Sequence, residues 1–311
     1  MFKINNNLIG SGNPTYIIAE ISANHNQNID IALELIRVAK ESGANAIKVQ
    51  TYQRDTISQQ PNQSHQSIFR INNGPHYGKT LYNLYLKSYT PYEWHRILKE
   101  ETNKMGMDFL ASPFNIKDVE FLESLDIDMY IISPCKMNDH KLLQRVAQTY
   151  KPIMISSGIV SKTELIKSVS LLRRYTQEPL CMLKCTGGYL TPLNESNLVT
   201  LLDMKKDFAI QAIGLSDHTL MIEVPIAAIS LGANVIEKHI TLTRESNENT
   251  VHNFSLTPSE FKQMVKSVRI VEQSMGIVKY EPSHITKVNL KPYNNDVNYF
   301  NKKNINYSAL L

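Results

Sequence analysis

The feature that most constrains the fold is a regular alternation of short apolar runs with stretches of helical periodicity. Eight such runs occur, at 15–20, 45–50, 107–112, 128–133, 152–157, 180–185, 209–216 and 233–239. Runs that are apolar on both faces and joined by helices indicate parallel strands covered by helices. Eight strand–helix units match a closed (β/α)₈ barrel of ~250 residues. The predicted fold is therefore an α/β protein with a TIM barrel.

A doubly wound open sheet is the alternative, but it usually has fewer strands and a glycine-rich first turn. The first turn here reads ISANHNQ (21–27) and contains no glycine. The segment GPHYGKT (74–80) resembles a P-loop, yet it has three residues between its glycines where four are required. It also does not follow a predicted strand, so we assign it to a long insert, 51–90.

Two segments fall outside the predicted barrel, which spans 15–277. Residues 1–14 contain FKINNNLIG, which predicts a short N-terminal hairpin that closes one end of the barrel. Residues 278–311 are rich in asparagine and weakly patterned, which predicts an extended, linker-like C-terminal tail.

Composition excludes several classes of protein. The net charge is only +4, and no basic stretch is interleaved with aromatic residues, so nucleic acid is not the expected partner. We find no secretory signal and no run of the ~18 apolar residues that a membrane helix needs, so a cytoplasmic protein is expected. Three cysteines, Cys135, Cys181 and Cys185, give no disulfide framework, and the last two are expected to be small buried side chains.

Polar side chains recur where the predicted strands end. In a TIM barrel the carboxyl ends of all strands form one mouth, and active sites lie there. The side chains that we expect at this mouth are Glu20, Lys48, Gln50, Ser112, Ser156, Lys184, Tyr189, Ser216, His218 and His239. Lys48 and Lys184, with several hydroxyls, would suit a phosphate or a carboxylate. The alternative is that each is an ordinary strand-end or helix-cap residue.

Two histidines end neighbouring predicted strands. Adjacent parallel strands are ~4.8 Å apart, so His218 and His239 can converge on one ion. Two imidazoles with water suit a catalytic divalent metal such as Mn²⁺, Zn²⁺ or Co²⁺. The alternative, that each is a hydrogen-bonded core histidine, stays open on the residues alone.

The sequence resembles the sialic acid synthase family, and in particular its pseudaminic acid synthase branch. The resemblance runs from Tyr16 to Tyr280 through YIIAEISANHNQ, ANAIKVQTY, GKTLYNLYLKSYTPYEWH, LASPFN, LKCT, GLSDHT and GANVIEKHITL. It implies a (β/α)₈ barrel that condenses phosphoenolpyruvate with an open-chain hexosamine aldehyde. The products would be a nine-carbon 2-keto sugar acid and phosphate, and the enzyme would be a homodimer.

The resemblance also implies residue roles. His218 and His239 look like ligands of a divalent metal, Mn²⁺ by preference, with Mg²⁺, Co²⁺ or Zn²⁺ as alternatives. Glu20 looks like the active-site carboxylate. The implied phosphoenolpyruvate contacts are Lys48, Ser112, Ser156 and Ser216, with Gln50 and Tyr189 lining the same pocket.

The chain departs from the family in the fourth barrel strand, where YIISPCK (130–136) replaces a pattern close to YKIAS.E. Ile131 stands where a phosphate-binding lysine is expected, Pro134 where a small polar residue is expected, and Lys136 where a glutamate is expected. The loop ESNENTVHNFSL (245–256) lacks the family's glycines and aspartate. We also expect this chain to lack the family's C-terminal antifreeze-like domain, which carries a sugar-binding arginine.

These departures leave three hypotheses open. The chain is an active or altered synthase, a catalytically degenerate homologue that acts as a binding or partner subunit, or an enzyme of a different aldolase-type reaction.

Overall fold

The computed structural model describes residues 1–53, 88–187, 190–244, 250–281, 283 and 285. Most of the long insert (54–87 of 51–90) and all of Tyr189 therefore lie outside the described residues. The chain divides into two compact units, Met1–Ser274 and Met275–Leu311. In the second unit, residues 276–280 have no regular secondary structure.

Ten strands lie in the described residues, and eight of them form a closed parallel barrel in the order β10-β3-β4-β5-β6-β7-β8-β9. The predicted TIM barrel is thus confirmed. The strands are β1 (Phe2–Ile4), β2 (Asn7–Ile9), β3 (Tyr16–Glu20), β4 (Ala46–Thr51), β5 (Asp108–Pro113), β6 (Tyr130–Ile132), β7 (Ile153–Ser156), β8 (Leu180–Cys185), β9 (Ala212–Asp217) and β10 (Val235–His239).

Helices follow each barrel strand and cover its outer face. They are α1 (Ile29–Glu41), α2 (Tyr92–Lys104), α3 (Ile116–Ser124), α4 (His140–Ala147), α5 (Lys162–Tyr175), α6 (Thr200–Asp207), α7 (Glu223–Ser230) and α8 (Pro258–Met275). Capping boxes begin α3 (Asn115 with Asp118) and α5 (Ser161 with Glu164), so these starts are encoded locally. No helix of the described residues is long and apolar enough to cross a membrane.

Side chains of the barrel strands alternate between two apolar clusters, as the period of two in a strand requires. The inner cluster fills the barrel and includes Ile18, Leu110, Ile131, Met154 and Leu183. The outer cluster packs the strands against the helices and includes Ile17, Phe109, Tyr130, Ile155 and Met182. The phase of this alternation decides which strand-end residues face the barrel interior.

Gly214 lies in the barrel interior in close contact with the neighbouring strands. A Cβ at this position would come within 2.5 Å of the Val235 carbonyl oxygen and 2.6 Å of Leu183 Cδ2. Only glycine therefore allows β9 to approach β10 and β8 this closely.

The N-terminal end of the barrel is closed by the predicted hairpin, in which β1 pairs antiparallel with β2. Asp108, at the start of β5, accepts three hydrogen bonds: from Asn5 Nδ2 (2.8 Å), Asn7 Nδ2 (2.8 Å) and Tyr16 Oη (2.6 Å). The hairpin side chains Phe2, Ile4 and Ile9 join the inner apolar cluster. The hairpin therefore plugs this end of the barrel with both apolar and polar contacts.

Candidate active site

Three charged side chains meet inside the opposite, C-terminal end of the barrel. Glu20, Lys48 and Glu237 come from β3, β4 and β10, which are neighbours across the closing pair of strands. Lys48 Nζ lies 2.9 Å from Glu20 Oε2 and 3.0 Å from Glu237 Oε1. All three are buried. When all three are ionised, two negative charges face one positive charge, so the cluster carries a net charge of −1.

The Glu20 carboxyl is poised to exchange a proton near neutral pH. Burial raises the pKa of Glu20 to about 7; Lys48 acts against this rise, and Glu237 adds to it. The backbone N–H of Ser22 donates to Glu20 Oε1 (2.7 Å), which fixes the orientation of the carboxyl group. A buried carboxyl group with such a pKa can act as a general acid or base.

Lys48 remains a cation. Burial alone would lower the pKa of its amino group, but the charges of Glu20 and Glu237 outweigh burial and raise it. Lys48 can therefore hold a phosphate or carboxylate group, provided that the two glutamates are compensated by protonation or by a further cation.

Glu237 is a site residue to which the sequence analysis gave no role. It lies two residues before His239 on β10, so both side chains face the barrel interior. Ser216 Oγ donates to Glu237 Oε1 (2.8 Å), while Glu237 Oε2 is buried and has no hydrogen-bond partner in the described part of the chain. The alternation from His239 was the signal that could have identified it.

The two histidines lie side by side, with ring centroids 5.2 Å apart. The Phe254 ring makes T-shaped contacts with both imidazoles. His218 Nδ1 lies 3.1 Å from the Thr186 carbonyl oxygen, to which it can donate, and this fixes the tautomer with the lone pair on Nε2. His239 Nδ1 is buried without a hydrogen-bond partner among the described residues.

Burial favours the neutral form of both histidines. It lowers the pKa of His218, and it lowers the pKa of His239 well below its usual range, with His218 adding to the effect. Neutral imidazoles are the form that binds metals.

The two imidazoles fit a divalent metal held by two protein nitrogens and by water. The unpartnered His239 Nδ1 is a nitrogen that such an ion would satisfy, and the negative cluster beside it favours a cation. Within the described ranges, no group of three His, Cys, Asp or Glu side chains is arranged to hold an ion. Water molecules or substrate atoms would therefore complete the coordination.

Further hydroxyl groups face the barrel interior near the ends of β5 and β7. Ser112, at the end of β5, is buried, and its Oγ has no partner within the described residues. Ser156 ends β7 and is also buried. Gln50 pairs in register with Ser112 and is half-buried. Tyr189 lies outside the described residues, so its expected place in the pocket stays a prediction.

Lys184 does not reach the mouth, which corrects the expectation that it would lie beside Lys48. It follows Leu183 of the inner cluster and therefore faces outward, where its Nζ donates to Thr186 Oγ1 (2.6 Å). The neighbouring Cys185, in register with Ser216, is the residue of β8 that approaches the mouth. Burial, with a contribution from Glu237, raises the pKa of the Cys185 thiol to about 11.

The unusual residues after β6 form a short helical turn, Pro134–Lys136. Ile131 is buried in the inner apolar cluster, so it supplies no charge to the site. Pro134 begins the turn, where its missing N–H costs no hydrogen bond. Lys136 Nζ lies 3.7 Å from Asp139 Oδ2 and 6.0 Å from the centroid of the Phe114 ring.

Comparison with known proteins gives consistent matches. The model of the NeuB family matches residues 35–280. The pseudaminic acid synthase of Campylobacter jejuni serotype O:23/36 is 38% identical over 261 residues, which cover 84% of this chain and 75% of that protein. The pseudaminic acid synthase of Helicobacter pylori is 39% identical over 263 residues, covering 85% and 76% of the two chains.

Solved structures agree with these matches. The crystal structure of N-acetylneuraminic acid synthetase from Leptospira borgpetersenii, in complex with citrate, superposes with a TM-score of 0.82 at 26% sequence identity. The match covers 96% of this chain and 97% of that chain.

Proposed function

The chain belongs to the NeuB family, and on this premise we propose that it condenses phosphoenolpyruvate with an amino-hexose aldehyde to form a nonulosonic acid of the pseudaminic or sialic type. It is an enzyme of the transferase class that forms a carbon–carbon bond. The curated relatives that support this include synthases of pseudaminic acid and of N,N'-diacetyllegionaminic acid.

The reaction balances with water as the third reactant. C3 of phosphoenolpyruvate attacks the aldehyde carbon and forms the new C–C bond, while the aldehyde oxygen gains a proton. Water adds at C2 and loses one proton. The bond from C2 to the phosphate oxygen then breaks, the remaining hydroxyl proton is lost to the departing phosphate, and the C2 ketone and inorganic phosphate result. Glu20, with a pKa of about 7, is the residue that we propose exchanges these protons.

Binding of phosphoenolpyruvate is assigned to one cation and three hydroxyls: Lys48, Ser112, Ser156 and Ser216. The unpartnered Ser112 Oγ supports this assignment, because a buried hydroxyl without a partner gains a hydrogen bond when an anion arrives. Gln50 would line the same pocket.

A divalent metal, Mn²⁺ by preference, would be held by His218 and His239. When bound, it supplies Lewis acidity at the aldehyde oxygen. It would also offset the net negative charge of the Glu20–Lys48–Glu237 cluster, which otherwise repels an anionic substrate. A homodimer in the cytoplasm is proposed from the family resemblance alone.

The observation that carries this proposal is the buried cluster of Glu20, Lys48 and Glu237 beside two histidines. The test is phosphate release from phosphoenolpyruvate with a panel of N-acetylated amino-hexoses, with and without added Mn²⁺, and with product masses measured. Reactions without sugar are the control. We expect sugar-dependent release with at least one hexosamine. No release with any sugar, in protein that binds Mn²⁺, would contradict the proposal and favour the degenerate homologue.

A further inference from the structure

A second cavity lies outside the barrel wall, between the end of β8 and helices α5 and α6. Its volume is about 510 Å³. Among the described residues its lining includes Ser157, Lys184, Thr186, Met204 and Phe208. Glu20, Lys48, Glu237 and the two histidines of the mouth do not line it, whereas Cys185, which approaches the mouth, does. The lining also includes the carboxylates Glu195 and Asp203. The cavity therefore borders the candidate active site at β8 but holds none of its charged residues.

Lys184 is the buried charge of this cavity. The residue is 6% exposed, and its Nζ donates to Thr186 Oγ1. Within the part of the chain that the structure describes, no ion pair joins Lys184 to a carboxylate. The second lysine of the cavity, Lys162, differs, because it pairs with both Asp203 and Asp207.

An ammonium group buried without a counter-ion is unfavourable, and an anion would compensate it. Burial indeed lowers the pKa of Lys184, although Cys185 and Asp217 act against this shift. A negatively charged ligand would stabilise the charged form.

The other walls indicate the chemistry of the ligand. Thr186, Thr200 and Asn197 offer hydroxyl and amide groups, which suit an oxygen-rich molecule. Met204 and Phe208 add apolar surface to the lining. The volume is in the range of small-molecule sites in proteins.

We propose that this cavity is a second binding site, for a small phosphate or carboxylate anion, with Lys184 as its cation. The site is not part of the proposed reaction. Thr186 connects the two compartments, because its hydroxyl accepts from Lys184 and its carbonyl oxygen is the partner of His218. An anion that draws Lys184 away from Thr186 thus acts on the residue that orients His218.

The test uses ¹³C-methyl methionine NMR on the full chain. Met204 reports on the cavity, and Met154, in the barrel interior, reports on the mouth; both signals are assigned from Met→Leu variants. Inorganic phosphate and succinate are titrated separately, which distinguishes phosphate from carboxylate ligands. We expect at least one anion to shift the Met204 signal saturably in wild-type protein and in Lys48→Met.

In Lys184→Met the affinity reported by Met204 should fall about ten- to a hundredfold, the effect of losing one charge-assisted contact. Lys184→Arg keeps the cation and should retain binding. Lys162→Met changes the second lysine of the cavity. This variant should bind the anion with an affinity within about twofold of wild type, because the Lys162 charge is exposed and already paired with Asp203 and Asp207.

The proposal is overturned if neither anion moves the Met204 signal, if only Met154 responds, or if Lys184→Met binds as wild type does. Because the readout is binding alone, a failure of the phosphate-release assay leaves this result unaffected.

Discussion

The two ends of the barrel differ in whether their buried polar groups have hydrogen-bond partners. At the N-terminal end, both Asp108 oxygens accept hydrogen bonds from the hairpin and from Tyr16. At the C-terminal end, Ser112 Oγ, Glu237 Oε2 and His239 Nδ1 are buried without hydrogen-bond partners in the described residues. Each such atom costs about 1–3 kcal/mol of stability. The first end is built for stability, and the second keeps unused binding capacity for a ligand.

Glu20→Gln should produce the largest effect on the C-terminal end. The amide cannot exchange a proton, so kcat for phosphate release should fall about 10²- to 10⁴-fold. The measurement is steady-state kinetics with the active hexosamine. Asp126→Asn, on an exposed residue, is the control and should leave kcat unchanged. An unchanged kcat in Glu20→Gln would remove Glu20 from the mechanism.

Glu20→Gln also tests how the free energy of unfolding depends on pH. The pKa of Glu20 rises from an ordinary value near 4.5 to about 7 on folding. The folded protein therefore binds the proton more tightly, and this stabilisation is complete below pH 4.5 and is lost as the pH rises to about 7. Urea unfolding at several pH values should show this loss, at most roughly 3 kcal/mol, in wild type but not in Glu20→Gln. Parallel profiles would contradict the raised pKa.

Lys48→Met should lower kcat/KM for phosphoenolpyruvate about a hundred- to a thousandfold, because the mouth loses its buried cation. Removing this charge also leaves two carboxylates facing each other, so protein folding must be checked at pH 6. Lys162→Met is the matched control at a lysine whose partners lie at the surface. Equal losses in both variants would show that Lys48 has no special role.

His239→Asn should weaken Mn²⁺ binding by at least about tenfold, as measured by calorimetry. The comparison is with His95→Asn. His95 is equally buried, but Thr51 Oγ1 lies 2.9 Å from its Nε2 and the Pro91 carbonyl 3.0 Å from its Nδ1. His95→Asn should lower stability and leave metal affinity intact. If His95→Asn weakened Mn²⁺ binding and His239→Asn did not, His239 would not be a metal ligand.

Asp108→Ala should act on stability alone. It removes the acceptor of Asn7 and of the Tyr16 hydroxyl and one of the two acceptors of Asn5, and unfolding in urea should show a loss of about 3 kcal/mol. Phosphate release per folded molecule should be unchanged. A large drop in kcat would mean that the closed end of the barrel also shapes the site.

Ser112→Ala should have the smallest effect. It should leave stability equal or higher while it weakens the binding of phosphoenolpyruvate. Removing an unpartnered buried hydroxyl should leave stability equal or raise it by up to about 1 kcal/mol. The KM for phosphoenolpyruvate should rise about fivefold, because one neutral hydrogen bond contributes about 1 kcal/mol. A loss of stability with unchanged KM would assign Ser112 to packing.

Periodicity sufficed for the fold, because each of the eight runs is long enough to distinguish a buried strand from a loop. It was harder to predict which strand-end side chains face the barrel interior. LCMLKC (180–185) is apolar on both sides, so its hydrophobicity does not reveal whether Lys184 or Cys185 faces inward. Glu237 was missed for a related reason: its role depends on Lys48, 189 positions away in sequence, and only barrel closure brings them together.

The ion pair between Lys48 and Glu237 spans the junction where the first and last barrel strands, β3 and β10, meet. Contacts of such large sequence separation form late in folding, because loop closure costs entropy before the contact is gained. A chain still on the ribosome, with β10 not yet synthesised, would hold Glu20 and Lys48 but no Glu237 and no His239. Catalytic competence would then be acquired in one final step, and folding intermediates would not consume phosphoenolpyruvate.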